Sequence, residues 1–304
     1  MSRTEVSGAQ PVRLRVDGVE VASYVVDPAV DPRHGPRPYL HPVRTLGGVV
    51  VTDVEPADHP WHLGVSVAMQ DVAGTNLWGG RTYVRDRGYT WLDDHGTIAH
   101  VRWLPWAGGF AERLEWRDPA GRPLLVEERR IAAAAAPAGW ELSFAYALTP
   151  AGPGEVALGS PATNGRPGGA GYGGFFWRCA PGPSAADAFT VFTASAAGEE
   201  AVNGSGEPWL ALTGPSAGGL PYTLVFRGLA GDDRWFVRTG IYPGVCAALA
   251  FARPLVVDAG AVRRRLTVLV ADGVLARDQI AAWVAGRPGR PARDHGVSGR
   301  RPAR

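Results

Sequence analysis

The sequence contains no lysine: all 31 of its lysine-or-arginine positions are arginine. This absence excludes Schiff-base chemistry and general-base catalysis by a lysine amine. Cysteine is scarce too, because the chain has only Cys179 and Cys246, and these have no CxxC spacing. Two distant cysteines do not make a disulfide framework, so we expect both to be buried thiols of a reduced protein.

Long apolar runs are missing as well. The longest, Val245 to Ala252, is far shorter than the roughly 20 residues that cross a membrane as a helix. The N-terminal residues MSRTEVSGAQPVRLRV also lack the apolar segment of a signal peptide. We therefore expect a cytoplasmic protein with no membrane partner.

The positive charge of the chain lies at its C-terminus. The formal net charge is +2, but residues 287–304 carry +5 while residues 1–286 carry −3. A basic end rich in proline and glycine, with no interleaved aromatic residues, does not favour nucleic-acid binding, and we expect it to be disordered. The glycine-rich stretch GYGGFFWR lacks the GxxxxGK[ST] pattern, so it is not a phosphate loop.

Glycine (41 residues) and proline (26 residues) make up about a fifth of the chain, which is typical of many short strands joined by turns. The stretch RLRVDGVEVASYVV predicts a hairpin with a type I′ turn at Asp17-Gly18. A helix is indicated only over Leu275–Val284, and the alanine-rich Arg129–Ala138 favours neither state. Further strand-like runs are Leu46–Val51, Leu63–Met69, Glu141–Leu148, Phe189–Ala194, Tyr222–Phe226 and Arg264–Val270.

These patterns predict an all-β protein: a many-stranded, two-sheet β-sandwich with a short C-terminal helix. Residues 12–286 form its single domain. Residues 1–11 and 287–304 are expected to be disordered ends.

Three of the seven histidines fall between residues 37 and 80: His41, His59 and His62. Histidine is the side chain that exchanges a proton near neutral pH without perturbation, so we place the candidate active site here. In the motif Asp58-His59-Pro60-Trp61-His62, Asp58 is positioned to orient one imidazole by accepting its N–H. Three interpretations stay open: general acid and base catalysis, a divalent metal held with His41, or a structural network of buried histidines.

Other segments supply candidate binding residues. In PYLHPVRT, Tyr39 and His41 share a face if the segment is extended. Arg44 suits hydroxyls or a carboxylate, or else forms an ion pair with Asp53 or Asp58.

In NLWGG, Asn76 and Trp78 offer an amide and an aromatic plane, the pairing by which proteins bind a sugar. Further candidates are Arg178 in GYGGFFWR, and Trp235, Arg238 and Tyr242 in WFVRTGIYPG as a second wall of the pocket. The tryptophans expected in the core instead are Trp91, Trp103 and Trp140.

Several of these motifs together resemble the bacterial PmoA-like family: PYLHPVRT, PADHPWHLG, NLWGG, GYGGFFWRCAP, WFVRTGIYPGVCAALAF and LVADG. The family label "methane oxygenase PmoA" does not suit this chain, because particulate methane monooxygenase is a multi-helix membrane protein. The resemblance implies a soluble β-sandwich similar to the galactose-mutarotase-like proteins, with a role alongside bacterial sugar catabolism.

The leading hypothesis is a carbohydrate-active enzyme that transfers a proton on a sugar or an oxidised sugar, of epimerase, mutarotase, hydratase or lyase type. His59 or His62 is the base, and the other one or His41 is the acid. The alternatives are a non-catalytic sugar-binding protein and a metal-dependent enzyme using His41, His59 and His62. Otherwise we expect no cofactor. All three histidines should line one pocket with Arg44 and with Arg178 or Arg238, while Asp58 orients an imidazole and Asn76 holds substrate oxygens.

Overall fold

The computed structural model describes residues 11–184 and 189–286. The ends that we predict to be disordered lie outside these residues, except for Pro11. The helices are α1 (Glu199–Val202) and α2 (Arg277–Ala285), and a single 3₁₀ turn covers Pro32–His34. The strands, in chain order, are β1 (Val12–Val16), β2 (Val19–Val25), β3 (Tyr39–Val43), β4 (Val65–Ala68), β5 (Asp71–Val72), β6 (Thr82–Val84), β7 (Gly88–Thr90), β8 (Thr97–Leu104), β9 (Phe110–Arg117), β10 (Pro123–Ala136), β11 (Gly139–Pro150), β12 (Val156–Gly159), β13 (Gly174–Arg178), β14 (Thr190–Phe192), β15 (Trp209–Pro215), β16 (Pro221–Arg227), β17 (Arg234–Arg238), β18 (Gly244–Ala248), β19 (Leu255–Val257) and β20 (Val262–Asp272).

Two large antiparallel sheets confirm the all-β sandwich. The first has seven strands in the order β1-β2-β3-β4-β13-β18-β17, and the second has eight in the order β14-β15-β16-β20-β11-β10-β9-β8. A single cluster of buried apolar side chains joins the facing surfaces of the two sheets, including Phe175 and Trp177 from the first and Phe144 and Leu224 from the second. Burial of this apolar surface is the main force that holds the layers together.

The hairpin between β1 and β2 is confirmed. Asp17 and Gly18 both have a positive φ, at 49° and 82°, as a type I′ turn requires. The predicted helix is confirmed as α2, whose Ile280 and Trp283 pack on the outer face of the eight-stranded sheet. No helix in the described part of the chain combines the length and the apolar character needed to cross a membrane.

Some local expectations were wrong. Leu46–Val51 is not a strand, because a turn at Leu46-Gly47 leaves only an isolated bridge between Arg44 and Val50. The ambiguous Arg129–Ala138 segment is mostly strand, since β10 pairs along its length with β11. Short helix α1 was not anticipated.

Two of the three tryptophans expected in the core are exposed instead. Trp140 is fully buried, but Trp91 and Trp103 are 45% and 44% exposed. Trp103 stands on β8, at the edge of its sheet, where it packs on the rings of His100 and Phe110. Trp91 lies in the connection between β7 and β8.

A chain of charged groups is buried between the two sheets. Arg129 is fully buried and donates to both carboxylate oxygens of Glu127, at 2.6 and 3.0 Å, and to the Tyr24 hydroxyl at 2.7 Å. The Tyr24 hydroxyl donates to Glu112, whose other carboxylate oxygen lies 2.7 Å from Nδ1 of His100. These hydrogen bonds satisfy ions that would otherwise be costly to remove from water.

Candidate functional site

A cavity of about 430 Å³ lies on the outer face of the seven-stranded sheet. Successive strand residues point to opposite faces, so Phe176 of β13 turns outward while its neighbours Phe175 and Trp177 enter the core between the sheets. The connections that surround this face supply most of the wall. The lining residues are Asp58, His59, Trp61, His62, Trp78, Gly79, Arg81, Tyr89, Trp91, Arg166, Tyr172, Phe236, Arg238, Ile241 and Tyr242.

The histidine motif sits on the connection between β3 and β4, which is fastened to the end of β13. The backbone N–H of Glu55 donates to the His62 carbonyl at 2.9 Å, which closes the loop on itself. The N–H of Arg178 donates to the Gly64 carbonyl at 2.9 Å, and the N–H of Asp53 donates to the Arg178 carbonyl at 3.1 Å. The loop therefore presents both imidazoles next to the side chain of Arg178.

Asp58 and His59 form a hydrogen-bonded pair at the cavity wall. Nδ1 of His59 lies 2.8 Å from a carboxylate oxygen of Asp58. Nη2 of Arg178, whose side chain is only 4% exposed, lies 3.2 Å from the other oxygen. Burial by itself raises the pKa of Asp58, but the hydrogen bond to His59 and the charge of Arg178 outweigh it and keep that pKa below its usual value. A carboxylate here makes His59 Nδ1 the donor, which leaves Nε2 as the basic nitrogen.

His62 is stacked on His59 but carries its proton on the other ring nitrogen. The ring centroids are 4.7 Å apart and the planes differ by 14°. Nη1 of Arg178 lies 3.3 Å from His62 Nδ1, and because a guanidinium only donates, this nitrogen accepts and Nε2 carries the proton. Burial, reinforced by the charges of His59, Arg178 and Arg37, lowers the pKa of His62 well below its usual value. His62 is therefore a neutral hydrogen-bond donor.

Tyr242 completes this end of the cavity. Its ring packs edge-on against both imidazoles, at 4.8 Å from His59 and 4.9 Å from His62. The guanidinium carbon of Arg178 lies 4.7 Å from the centre of the same ring. Burial raises the pKa of the Tyr242 phenol, so it stays protonated near neutral pH. Arg178 thus contacts Asp58, His62 and Tyr242, all of which adjoin His59.

Arginine and tyrosine side chains form a further part of the cavity wall. The hydroxyls of Tyr89 and Tyr172 are 2.9 Å apart, and Arg166 donates to the Tyr89 hydroxyl. Burial raises the pKa of Tyr89, although the hydrogen bond with Tyr172 and the charges of Arg166 and Arg238 oppose this. Arg81 lies at the rim with its guanidinium carbon 5.8 Å from the centre of the Trp91 ring.

Arg37 supports the wall from behind and was not anticipated. It is fully buried, and its guanidinium donates to the carbonyl oxygens of Trp61 and Trp78, both at 3.0 Å. A guanidinium is well suited to this task because it presents five donors in a fixed plane. Arg37 therefore fixes two connections that are remote in the sequence, and nothing in its local sequence, GPRPY, signals this.

The structure does not bring every predicted site residue to the cavity. His59, His62, Asp58, Trp78, Arg238 and Tyr242 line it, and Arg178 lies directly behind them. Tyr39, His41 and Arg44 do not, so the prediction that three histidines line one pocket is wrong for His41. On β3, the His41 ring turns to the Thr52 hydroxyl, 3.0 Å from Nδ1. The Arg44 guanidinium donates to the Gly48 carbonyl at 3.5 Å and forms no ion pair among the described residues, and Asp53 approaches Arg178 instead.

Asn76 has a structural role in place of the predicted binding role. It is fully buried, and its side-chain oxygen accepts from the backbone N–H groups of Trp78 and Gly79 at 3.0 and 2.9 Å. Its amide donates to the Thr82 hydroxyl at 2.9 Å. Asn76 therefore shapes the loop that presents Trp78. Trp235 is also absent from the wall, because it is buried in the core between the sheets.

Several lining residues were missed. Arg81, Tyr89, Trp91, Arg166 and Tyr172 come from four connections or short strands. Tyr172 lies within GYGGFFWR and Arg81 directly follows NLWGG, but no motif surrounds Tyr89, Trp91 or Arg166.

The sequence Gly214-Pro-Ser216-Ala-Gly218 matches the GxSxG pattern of serine hydrolases. It forms the tight turn between β15 and β16, with Ser216 only 5% exposed. A nucleophilic serine of the GxSxG type instead sits between a strand and a helix. This match therefore gives no support to serine hydrolysis.

A metal site was one of the open interpretations. Within residues 11–184 and 189–286, no three histidine, cysteine, aspartate or glutamate side chains form a group able to hold a metal ion, and this includes His41, His59 and His62.

The fold and the cavity define a two-sheet β protein with an Asp–His pair and three arginines in the wall of an aromatic cavity. The chain belongs to the family DUF6807, a family of unknown function whose model matches residues 11–285. Among the curated proteins, none matches the sequence significantly. The resemblance to PmoA-like and galactose-mutarotase-like proteins stays a prediction.

Proposed function

We propose that this protein is a carbohydrate-active enzyme in which His59 transfers a proton on a sugar or an oxidised sugar. One observation carries the proposal: Asp58, itself held by the buried Arg178, lies 2.8 Å from Nδ1 of His59, which lines the cavity. A carboxylate in this position fixes the tautomer and orientation of an imidazole and makes its other nitrogen the base. Asp58 and Arg178 are positioning residues in this scheme.

His62 is the partner of His59 as a hydrogen-bond donor. Its neutral ring accepts from Arg178 at Nδ1, so its Nε2–H is available to a substrate oxygen that gains negative charge when His59 removes a proton from the neighbouring carbon. Epimerisation and elimination share this first step, and hydration is the elimination in reverse. Return of the proton from His59 to the opposite face of that carbon, after the planar intermediate has turned in the cavity, completes an epimerisation. Transfer of the proton to a leaving hydroxyl completes an elimination.

The aromatic wall supports a carbohydrate substrate. Trp61 and Trp78 line the cavity beside the imidazoles, and tryptophan rings cover the C–H faces of sugars while polar groups bind the hydroxyls. The resemblance to galactose-mutarotase-like proteins supports the same substrate class. A cytoplasmic location is part of this proposal.

His59→Gln tests the proposal, with His41→Gln as a matched control outside the cavity. The assay is NMR detection of deuterium uptake from D₂O at C–H positions of a panel of sugars and sugar acids. The wild-type protein should catalyse exchange, His59→Gln should lose about 10²–10⁴-fold in rate with little change in binding, and His41→Gln should keep the rate.

Other outcomes select the alternatives. Exchange at the wild-type rate in His59→Gln overturns the assignment of the base. Sugar binding without any exchange by the wild-type protein favours a non-catalytic sugar-binding protein. A stoichiometric metal found by elemental analysis and lost in His59→Gln favours a metal-dependent enzyme.

A further inference from the structure

We propose that the substrate carries a carboxylate. The arginine-lined part of the cavity wall binds it, and this part consists of Arg81, Arg166 and Arg238 with Tyr89. The inference rests on the proposed function for the carbohydrate part of the substrate. It deepens that proposal by naming sugar acids, such as aldonates and uronates, as the class of ligand.

The charges of the lining residues carry the argument. Three arginines line the cavity, whereas Asp58 is the only carboxylate among the described lining residues, and Arg178 already neutralises it. Among the residues that the structure describes, Arg81 and Arg166 form no ion pair. The cavity therefore has an excess of positive charge with no internal partner, which attracts an anionic ligand.

Arg238 has a partner, but that partner is shared. Nη1 of Arg238 lies 3.5 Å from one oxygen of Glu199, whose other oxygen accepts from the backbone N–H groups of Thr239 and Gly240 at 2.6 and 3.1 Å. Glu199 thus fixes the connection after β17. Nη1 of Arg238 also donates to the Val237 carbonyl at 2.7 Å, so Nε and Nη2, which have no hydrogen-bond partner among the described residues, are the donors left for a ligand.

Tyr89 holds Arg166 at the cavity wall. Arg166 donates to its hydroxyl and also lies over its ring, 4.8 Å from the centre. Arg238 lines the same cavity. The guanidinium and phenol groups of the wall present several hydrogen-bond donors, and this suits the two oxygens of a carboxylate.

The polarity of the cavity then orients the ligand. A sugar acid whose carboxylate contacts Arg166 and Arg238 places its ring over the aromatic wall and its far carbons near His59. The described lining includes no helix N-terminus, the backbone device that commonly binds phosphate. We therefore assign the anion as a carboxylate and treat a sugar phosphate as an outcome of the test.

Isothermal titration calorimetry with gluconate, glucuronate, glucose and glucose 6-phosphate tests the assignment. At least one of the two acids should bind at least about 10-fold more tightly than glucose, and added salt should weaken only the charged ligands. Arg166→Gln should reduce acid affinity about 10-fold or more while leaving glucose affinity unchanged, since it removes a charge-assisted hydrogen bond.

The controls keep the test decisive. Arg81→Gln is a second variant, because this arginine is exposed and, apart from its contact with the Trp91 ring, its side chain has no partner among the described residues. It should also reduce acid affinity. Arg44→Gln, outside the cavity, should change nothing. Equal affinity for acids and glucose, an unchanged acid preference in both cavity variants, or tighter binding of glucose 6-phosphate overturns the carboxylate assignment. Acid binding without deuterium exchange overturns the proposed enzyme activity alone.

Discussion

Replacing Arg129 by methionine should destabilise the fold strongly. The substitution removes the buried guanidinium that pairs with the carboxylate of Glu127. The side chain of Arg129 is fully buried, and two of its hydrogen bonds go to the carboxylate of Glu127, which is fully buried as well. Methionine fills most of the same volume, so the loss will reflect charge and hydrogen bonding more than a cavity.

The magnitude follows from these contacts. Each hydrogen bond between charged groups contributes about 1.5–3 kcal/mol, so two of them give about 3–6 kcal/mol. Removal of one member of a buried ion pair typically costs about 3–5 kcal/mol, because the other charge is left without compensation. We therefore expect Arg129→Met to lower the free energy of unfolding by about 3–5 kcal/mol.

Urea unfolding monitored by tryptophan fluorescence measures this loss. The matched control is Arg130→Met, since Arg130 is the next residue of β10 but points outward and is exposed. A surface substitution of this kind should stay within about 0.5 kcal/mol of the wild type. A loss below about 1 kcal/mol in Arg129→Met would refute the reasoning, because it would mean that the buried charges are not coupled.

A double variant separates charge from packing. In Arg129→Met with Glu127→Gln, the uncompensated carboxylate is gone, but an acceptor remains for Nε1 of Trp116, which lies 2.8 Å from Glu127. This variant should be more stable than Arg129→Met alone. If the second substitution destabilises the protein further, packing and not charge accounts for the loss.

The sequence predicts the elements of this fold where local chemistry decides them. The Asp17-Gly18 turn needs two positive φ values that these residues tolerate, and the C-terminal helix has an apolar stripe that ends at Gly286. Arg129–Ala138 could not be assigned, because alanine favours helices and only the ladders to β9 and β11 make the segment a strand. Pairing between strands overrides the intrinsic preference there.

The candidate site is predictable only in part, for a similar reason. Asp58, His59 and His62 are close in sequence, so their motif already shows that they meet. Residues such as Arg166 and Trp91 reach the cavity from separate connections, and their placement depends on how the sheet brings those connections together. His41 lies in PYLHPVRT, which the sequence predicts to be part of the site, yet β3 directs its ring toward Thr52. Spacing alone does not reveal this contact.

Two further predictions concern the stability of the folded protein, one through packing at Gly79 and one through the protonation of His62. Gly79→Ala should destabilise the protein more than Gly74→Ala: φ is positive at both glycines (96° and 86°), but an added Cβ at residue 79 would lie 2.4 Å from the His34 carbonyl oxygen, whereas at residue 74 it meets nothing within 4 Å. Equal thermal midpoints would contradict this crowding. Stability should also fall as the pH falls. Burial lowers the pKa of His62 well below its usual 6.5, so on unfolding the chain takes up a proton that the folded protein does not carry. The contribution is complete above about pH 6.5 and is lost below it by up to about 1.4 kcal/mol per pH unit. His62→Asn keeps an acceptor for Arg178 but cannot be protonated, so its urea midpoints should fall less steeply between about pH 7.5 and 5.5 than those of the wild type. Identical slopes for the two proteins would show that His62 is not held neutral by the fold.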